Sequence, residues 1–159
     1  GCSGSAVLKD RNRTFGRIDR IRIQYRNVLK NGGRKKHMKY QSTITGLGPD
    51  ALAFLADDDM NFIIIFNEDA PPELAELSVL HTKAELRAVP EVGDTMTICG
   101  KEFKISAVGS EAPHTLAELG HCTLSFKGGS EAERPGCIML EGNKLTEADL
   151  RAGGTIEIC

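Results

Sequence analysis

The chain predicts a mainly β fold, a small closed or nearly closed β-barrel of about six to eight short strands with one to three short helices. Three observations carry that prediction. The 159 residues include 17 glycines, no Trp and only 5% aromatics, a composition that suits short strands and tight turns better than packed helices. Apolar residues make up 40%, enough to close one core. From Lys39 onward, short apolar runs recur between glycine and proline breaks, the pattern of a barrel or, alternatively, a sandwich.

Tyr40-Gln-Ser-Thr-Ile-Thr45 alternates weakly and stops near Gly46 and Gly48, which predicts a first strand. Pro49 to Leu55 places Pro at a helix start with Leu52 and Leu55 three apart, predicting one or two helical turns, and Asp57 to Asp59 predict an exposed turn. Phe62-Ile-Ile-Ile-Phe66 is a continuous β-branched run, read as a central strand covered on both faces. After Ala70-Pro71-Pro72, period two puts Leu77, Val79 and His81 on one face of the next strand.

Met96 and Ile98, then Phe103, Ile105 and Ala107, alternate with polar residues about Gly100 and predict a hairpin. Pro113 to Leu119 followed by Gly120 reads as a short helix with a glycine stop, delivering the chain to a strand His121 to Phe126. There Cys122, Leu124 and Phe126 point inward and His121, Thr123 and Ser125 outward. The last third predicts a strand Cys137 to Leu140, a capped turn at Thr146 and Asp149, and a final strand Thr155 to Cys159. Gly93-Asp-Thr-Met-Thr-Ile-Cys99 and Gly153-Gly-Thr-Ile-Glu-Ile-Cys159 resemble one another, a hint of internal repetition.

The net charge of -2 conceals a split. Residues 1–37 hold eleven Lys/Arg against two Asp, and residues 38–159 nine Lys/Arg against twenty Asp/Glu. Because Gly-Gly-Arg-Lys-Lys just precedes Met38 and suits purine-rich codons, we expect translation to begin at Met38. Residues 1–37 are then a basic extension outside the domain at 38–159. A nucleic-acid-binding arm, a transit peptide and a disordered tail are the other readings. The five cysteines are widely spaced, without a secretory or membrane-spanning run, so reduced thiols in a cytoplasmic protein are expected. Cys99, Cys137 and Cys159 read as small core residues. A zinc site built on Cys99, Cys122 and the histidines lacks ligand spacing.

No phosphate-binding GxxxxGK[ST] loop, GxSxG elbow, HExxH or CxxC occurs, which removes most enzyme classes recognisable by a short motif. Two histidines remain, His81 in Leu80-His81-Thr82-Lys83 and His121 in Leu119-Gly120-His121-Cys122. Neutral imidazole is nucleophilic near pH 7, so one histidine can carry a phosphoryl group without a strong base.

These segments resemble the glucitol/sorbitol-specific IIA component family of the bacterial phosphotransferase system. The resemblance rests on Tyr40 to Thr45, Phe62 to Phe66, Ala70-Pro71 with Glu73-Leu74, Leu80-His81 with Glu85-Leu86, Ala107-Val-Gly-Ser110 and Leu116 to Phe126. It implies a phosphotransferase component in which His81 receives phosphate from the phosphorylated histidine carrier protein HPr. His81 then passes it to the IIB part of a IIB/IIC sugar permease, so that sorbitol is phosphorylated on entry. No cofactor or metal is implied, no nucleic acid, and no membrane contact except through the permease.

Family members can carry a second histidine two residues after the phosphorylated one; here that position is Lys83. By period two Lys83 shares the face of His81 and is a candidate phosphate neighbour. His121 is a candidate auxiliary and Glu85 a candidate imidazole-orienting acceptor, each also readable as a plain surface residue. The mechanism calls for an exposed, neutral ring nitrogen on His81. The alternative is a non-enzymatic β-barrel binding or regulatory module with a structural His81. Sugar, ring nitrogen and a homo-oligomer stay open at this point.

Overall fold

Alternation of inward and outward side chains along the apolar segments closes eight strands on themselves. In the computed structural model, which describes residues 37–159, these are β1 (Tyr40–Leu47), β2 (Phe62–Asn67), β3 (Val79–His81), β4 (Thr95–Ile98), β5 (Lys101–Val108), β6 (Cys122–Ser125), β7 (Cys137–Glu141) and β8 (Thr155–Ile158). The expected basic extension thus falls, except for its last residue, outside the described residues. Around the barrel the order is β1-β3-β2-β6-β7-β5-β4-β8, and β8 returns to β1. Such closure removes free sheet edges and sets the sandwich alternative aside.

Three short helices complete the described part: α1 (Ala53–Ala56), α2 (Pro72–Ala75) and α3 (Ala112–Leu119), with a 3-10 turn at Glu147–Asp149. The 3-10 turn carries the expected reciprocal cap between Thr146 and Asp149. Helix α1 starts later than Pro49 because the backbone before it is committed elsewhere: Asp50 N–H donates to Glu76 O and Ala51 N–H to Gly48 O. Strand β3 is shorter than its apolar pattern because Leu77 and Ser78 N–H groups return to Leu74 and Ala75 as α2 ends.

The barrel interior is filled by alternate residues such as Tyr40, Ile44, Ile63, Ile65, Ile105, Leu124, Leu140 and Ile156, all essentially inaccessible to solvent. Each such side chain contributes about 1.5–3 kcal/mol of apolar burial. Strand β2 is covered outside as well, where Phe62 stacks on Phe54 of α1 with ring centroids 4.8 Å apart. The β4–β5 hairpin turns on Cys99 (φ 48°) and Gly100 (φ 87°), the two left-handed residues of a type I′ turn.

The hint of repetition becomes a pseudo-two-fold axis. Exchanging β1 with β5, β2 with β6, β3 with β7 and β4 with β8 reproduces the same closed order. Both halves contain a parallel pair, Asn67 beside His81 in β2–β3 and Ser125 beside Met139 in β6–β7. The two look-alike segments pair with each other as antiparallel β4 and β8, Thr97 opposite Glu157. The turns agree atom for atom: Gly48 N–H donates to Ser78 O and Asp50 N–H to Glu76 O, while Gly109 N–H donates to Cys137 O and Glu111 N–H to Pro135 O.

Candidate functional site

His81 is the last residue of β3, opposite Ile44 of β1 and beside Asn67 of β2. Because β3 continues an inward apolar face, the imidazole is carried into the barrel and not out of it. Its exposure is 0%. This corrects the expectation of an open ring nitrogen: burial follows from the same period-two pattern that placed His81 after Leu77 and Val79.

Both ring nitrogens face carbonyl oxygens. Nδ1 lies 2.9 Å from the oxygen of Thr82, the next residue, and Nε2 lies 2.8 Å from the oxygen of Gly120. A neutral imidazole has one N–H, so it donates to one of the two; both contacts are hydrogen bonds only when both nitrogens carry protons. Tyr40 meets the ring edge-on, with centroids 6.2 Å apart.

Gly120 reaches His81 because of how α3 ends. The helix starts with Pro113 in its first turn and stops at Gly120 in the left-handed conformation (φ 62°), with Gly120 N–H donating to Leu116 O. A Cβ at Gly120 would overlap Asn67 Oδ1 and lie 2.8 Å from His81 Cε1. Glycine is therefore required twice here, by the dihedral and by the space.

Buried polar atoms without hydrogen-bond partners include Tyr40 Oη, Ser42 Oγ, Asn67 Oδ1 and His121 Nδ1. Burial pushes the Tyr40 phenol up to about 12; the Cys122 thiol adds to the rise and the Ser42 hydroxyl partly offsets it. Burial likewise raises the Cys122 thiol strongly, with Cys137 adding to the rise.

His121 is half-buried and its ring tilts over Phe66 at 4.7 Å. Phe66 precedes Asn67 and so faces the other side of β2. Gly120 links the two histidines, since its carbonyl caps one and its chain continues into the other. Glu85 is exposed on the extended segment after β3 and makes no hydrogen bond or ion pair with either imidazole. Lys83 turns outward, 65% exposed, to pair with Asp69 at 2.8 Å, so it does not share the face of His81; β3 ends at His81 and the two-residue alternation ends with it. Asn67 had no motif to mark it. The only signal was its place at the end of an apolar strand.

The other half of the barrel has no counterpart of the imidazole: the pair equivalent to Ile44 and His81 is Ile105 and Leu140, so a buried leucine stands where the histidine would be. Among the described residues, Cys99, Cys122 and Cys137 are free thiols, whereas Cys159 is disulfide-bonded, against the expectation of reduced thiols throughout. Cys137 and Cys159 are buried as expected, but Cys99 is only partly so, because it occupies the β4–β5 turn. No cluster of three or more His, Cys, Asp or Glu side chains among the described residues is arranged to hold a metal ion. None of their helices is long and apolar enough to cross a membrane.

A family model described as the PTS system glucitol/sorbitol-specific IIA component matches residues 39–157. The glucitol/sorbitol-specific EIIA component of Escherichia coli K12 is 39% identical over 103 residues, spanning 65% of this chain and 81% of its own. That of Shigella flexneri matches to the same extent. The crystal structure of a PTS system IIA component from Enterococcus faecalis V583 superposes with a TM-score of 0.60 at 26% identity, covering 73% of this chain and 96% of that one. The barrel and these likenesses define the class: a phosphoryl carrier of the bacterial sugar phosphotransferase system. Within that class, the chain belongs to the glucitol/sorbitol-specific IIA component family.

Proposed function

We propose that His81 accepts the phosphoryl group through Nε2 and hands it on as a phosphohistidine. The observation that carries this reading is the unequal standing of its two nitrogens. Nδ1 is held by the carbonyl of its own neighbour, Thr82, a bond that moves with the ring. Nε2 is covered by Gly120, from the end of α3 and 39 residues away in sequence. An Nδ1–H donated to Thr82 leaves the lone pair on Nε2, and a glycine hinge can carry its carbonyl aside. The closed form is then a resting state, and the donor protein must engage the end of α3 before transfer.

In the transfer, the Nε2 lone pair attacks phosphorus of the donor phosphohistidine, one N–P bond forms, and the donor's N–P bond breaks with its electron pair returning to the donor ring. The proton stays on Nδ1, donated to Thr82 O throughout. In this reading the donor is the phosphorylated carrier protein HPr, the acceptor the IIB part of a IIB/IIC permease, the sugar sorbitol, and the compartment the cytoplasm; membership of the family supports each of them. The acidic body suits a partner with a basic rim, where complementary fields raise the encounter rate.

Phosphoenolpyruvate with the general phosphotransferase proteins tests the reading. The chain should take up an acid-labile, base-stable phosphate that His81→Ala abolishes. A second reading makes His121 the acceptor, favoured by its greater exposure and its unpartnered Nδ1. Label lost with His121→Ala and kept with His81→Ala would establish it. A chain that takes up no phosphate at all supports the binding-module alternative.

A further inference from the structure

We propose that Asn67 is a ligand of the transferred phosphoryl group, a role that rests on His81 being its acceptor. Asn67 closes β2 directly beside His81 in parallel register, so the two side chains leave the sheet on the same face. It is only 9% exposed, yet its Oδ1 has no hydrogen-bond partner. Buried side-chain polar atoms are nearly always paired, and one left unpaired calls for a reason.

The reason is where the amide points. A Cβ on Gly120 would meet both Asn67 Oδ1 and the Cε1 edge of His81, so amide, imidazole edge and glycine border one small volume. That volume lies next to Nε2 and is occupied by the Gly120 backbone in the closed form. Once the Gly120 carbonyl moves off Nε2, a phosphoryl group there lies against the amide. A half turn about the Asn67 Cβ–Cγ bond then exchanges Oδ1 for Nδ2 and offers an N–H to an equatorial phosphoryl oxygen.

A neutral donor suits a carrier, which must hold phosphate and release it. A cation in the same place would bind the dianion more strongly and slow the onward step. Asn67 changes no bond order in the reaction. It supplies one oriented hydrogen bond as charge redistributes over the phosphoryl oxygens.

The test uses the whole chain with phosphoenolpyruvate and the general phosphotransferase proteins, comparing Asn67→Asp, Asn67→Ala and His81→Ala. Loss of the donor and gain of a negative charge in Asn67→Asp should slow labelling about 10²-fold, with Asn67→Ala less affected. A packing role gives the reverse order, because Asp keeps the shape and Ala leaves a hole, and that order overturns the proposal. In the wild type, phosphorylation should move the Asn67 side-chain NH₂ resonances downfield in ¹⁵N–¹H spectra; unmoved resonances overturn it as well. Label retained by His81→Ala overturns the acceptor reading and this proposal with it. Label lost there but unchanged in both Asn67 variants overturns this proposal alone.

Discussion

His81 Nε2 and the carbonyl oxygen of Gly120 lie 2.8 Å apart, although 39 residues separate them in sequence. The contact ties the imidazole at the end of β3 to the last turn of α3, so the state of the ring and the position of the helix end are coupled. It also explains why a helix stop signal, ordinary in itself, belongs to the site.

Gly120→Ala tests that coupling. An L residue at φ 62° is strained, and its Cβ would collide with Asn67 and crowd His81. Left-handed strain and overpacking together should cost about 2–4 kcal/mol. Urea denaturation measures the loss, and a variant within about 0.5 kcal/mol of wild type would show that α3 can end without the conformation described.

Gly48→Ala and Gly109→Ala should both be severely destabilising, and to a similar degree. A Cβ at Gly48 would enter the backbone carbonyls of Ala75 and Glu76, and one at Gly109 those of Pro135 and Arg134. Backbone cannot swing away as a side chain can, so about 3 kcal/mol or more is expected at each. Denaturant midpoints of the two variants would agree if the pseudo-dyad is energetic as well as geometric.

Lys101 lies 2.9 Å from Asp149, and this bond, with those from Thr146, lowers the Asp149 carboxyl to about 2 from an ordinary 3.8. A depressed carboxylate contributes stability that is present above the unfolded value and lost as pH falls through the folded one. Lys101→Met should therefore raise the Asp149 midpoint in an NMR titration. The stability gap between variant and wild type should shrink between pH 3.8 and about 2 and vanish below. A gap that persists in stronger acid would belong to packing instead.

Tyr40 offers the opposite sign. Its phenol is held neutral up to about 12 instead of 10.0, so stability present below the unfolded value should fall as pH rises from 10 toward 12. The buried hydroxyl meets Ser42 but not in hydrogen-bonding geometry, so Tyr40→Phe should be neutral or stabilising by about 1 kcal/mol and should flatten the alkaline limb. A loss above about 1 kcal/mol would reveal a hydrogen bond made by Tyr40 Oη.

Glu85 is exposed and bonds to neither imidazole, and Glu85→Gln should label at a rate within about twofold of wild type, a change well inside the usual effect of losing general acid–base help. A hundredfold loss, on the order of that effect, would return Glu85 to the site.

The chain alone determined the elements and the class of fold. Period two along Tyr40 to Ile44 and Phe103 to Ala107, the glycine stop at Gly120, the Thr146–Asp149 cap and the likeness of the Gly93 and Gly153 segments all express preferences settled within a few residues. The two histidines were legible too, as was the family. What tertiary structure decided was which groups meet: that Gly120 covers Nε2, that Asn67 stands beside His81, that His121 turns to Phe66, and that Glu85 and Lys83 stay outside. Those outcomes depend on the β2–β3 parallel register and on barrel closure, pairings between distant strands whose free energy no local pattern contains. A period of two can say that His81 faces inward. Only the closed barrel decides what is waiting there.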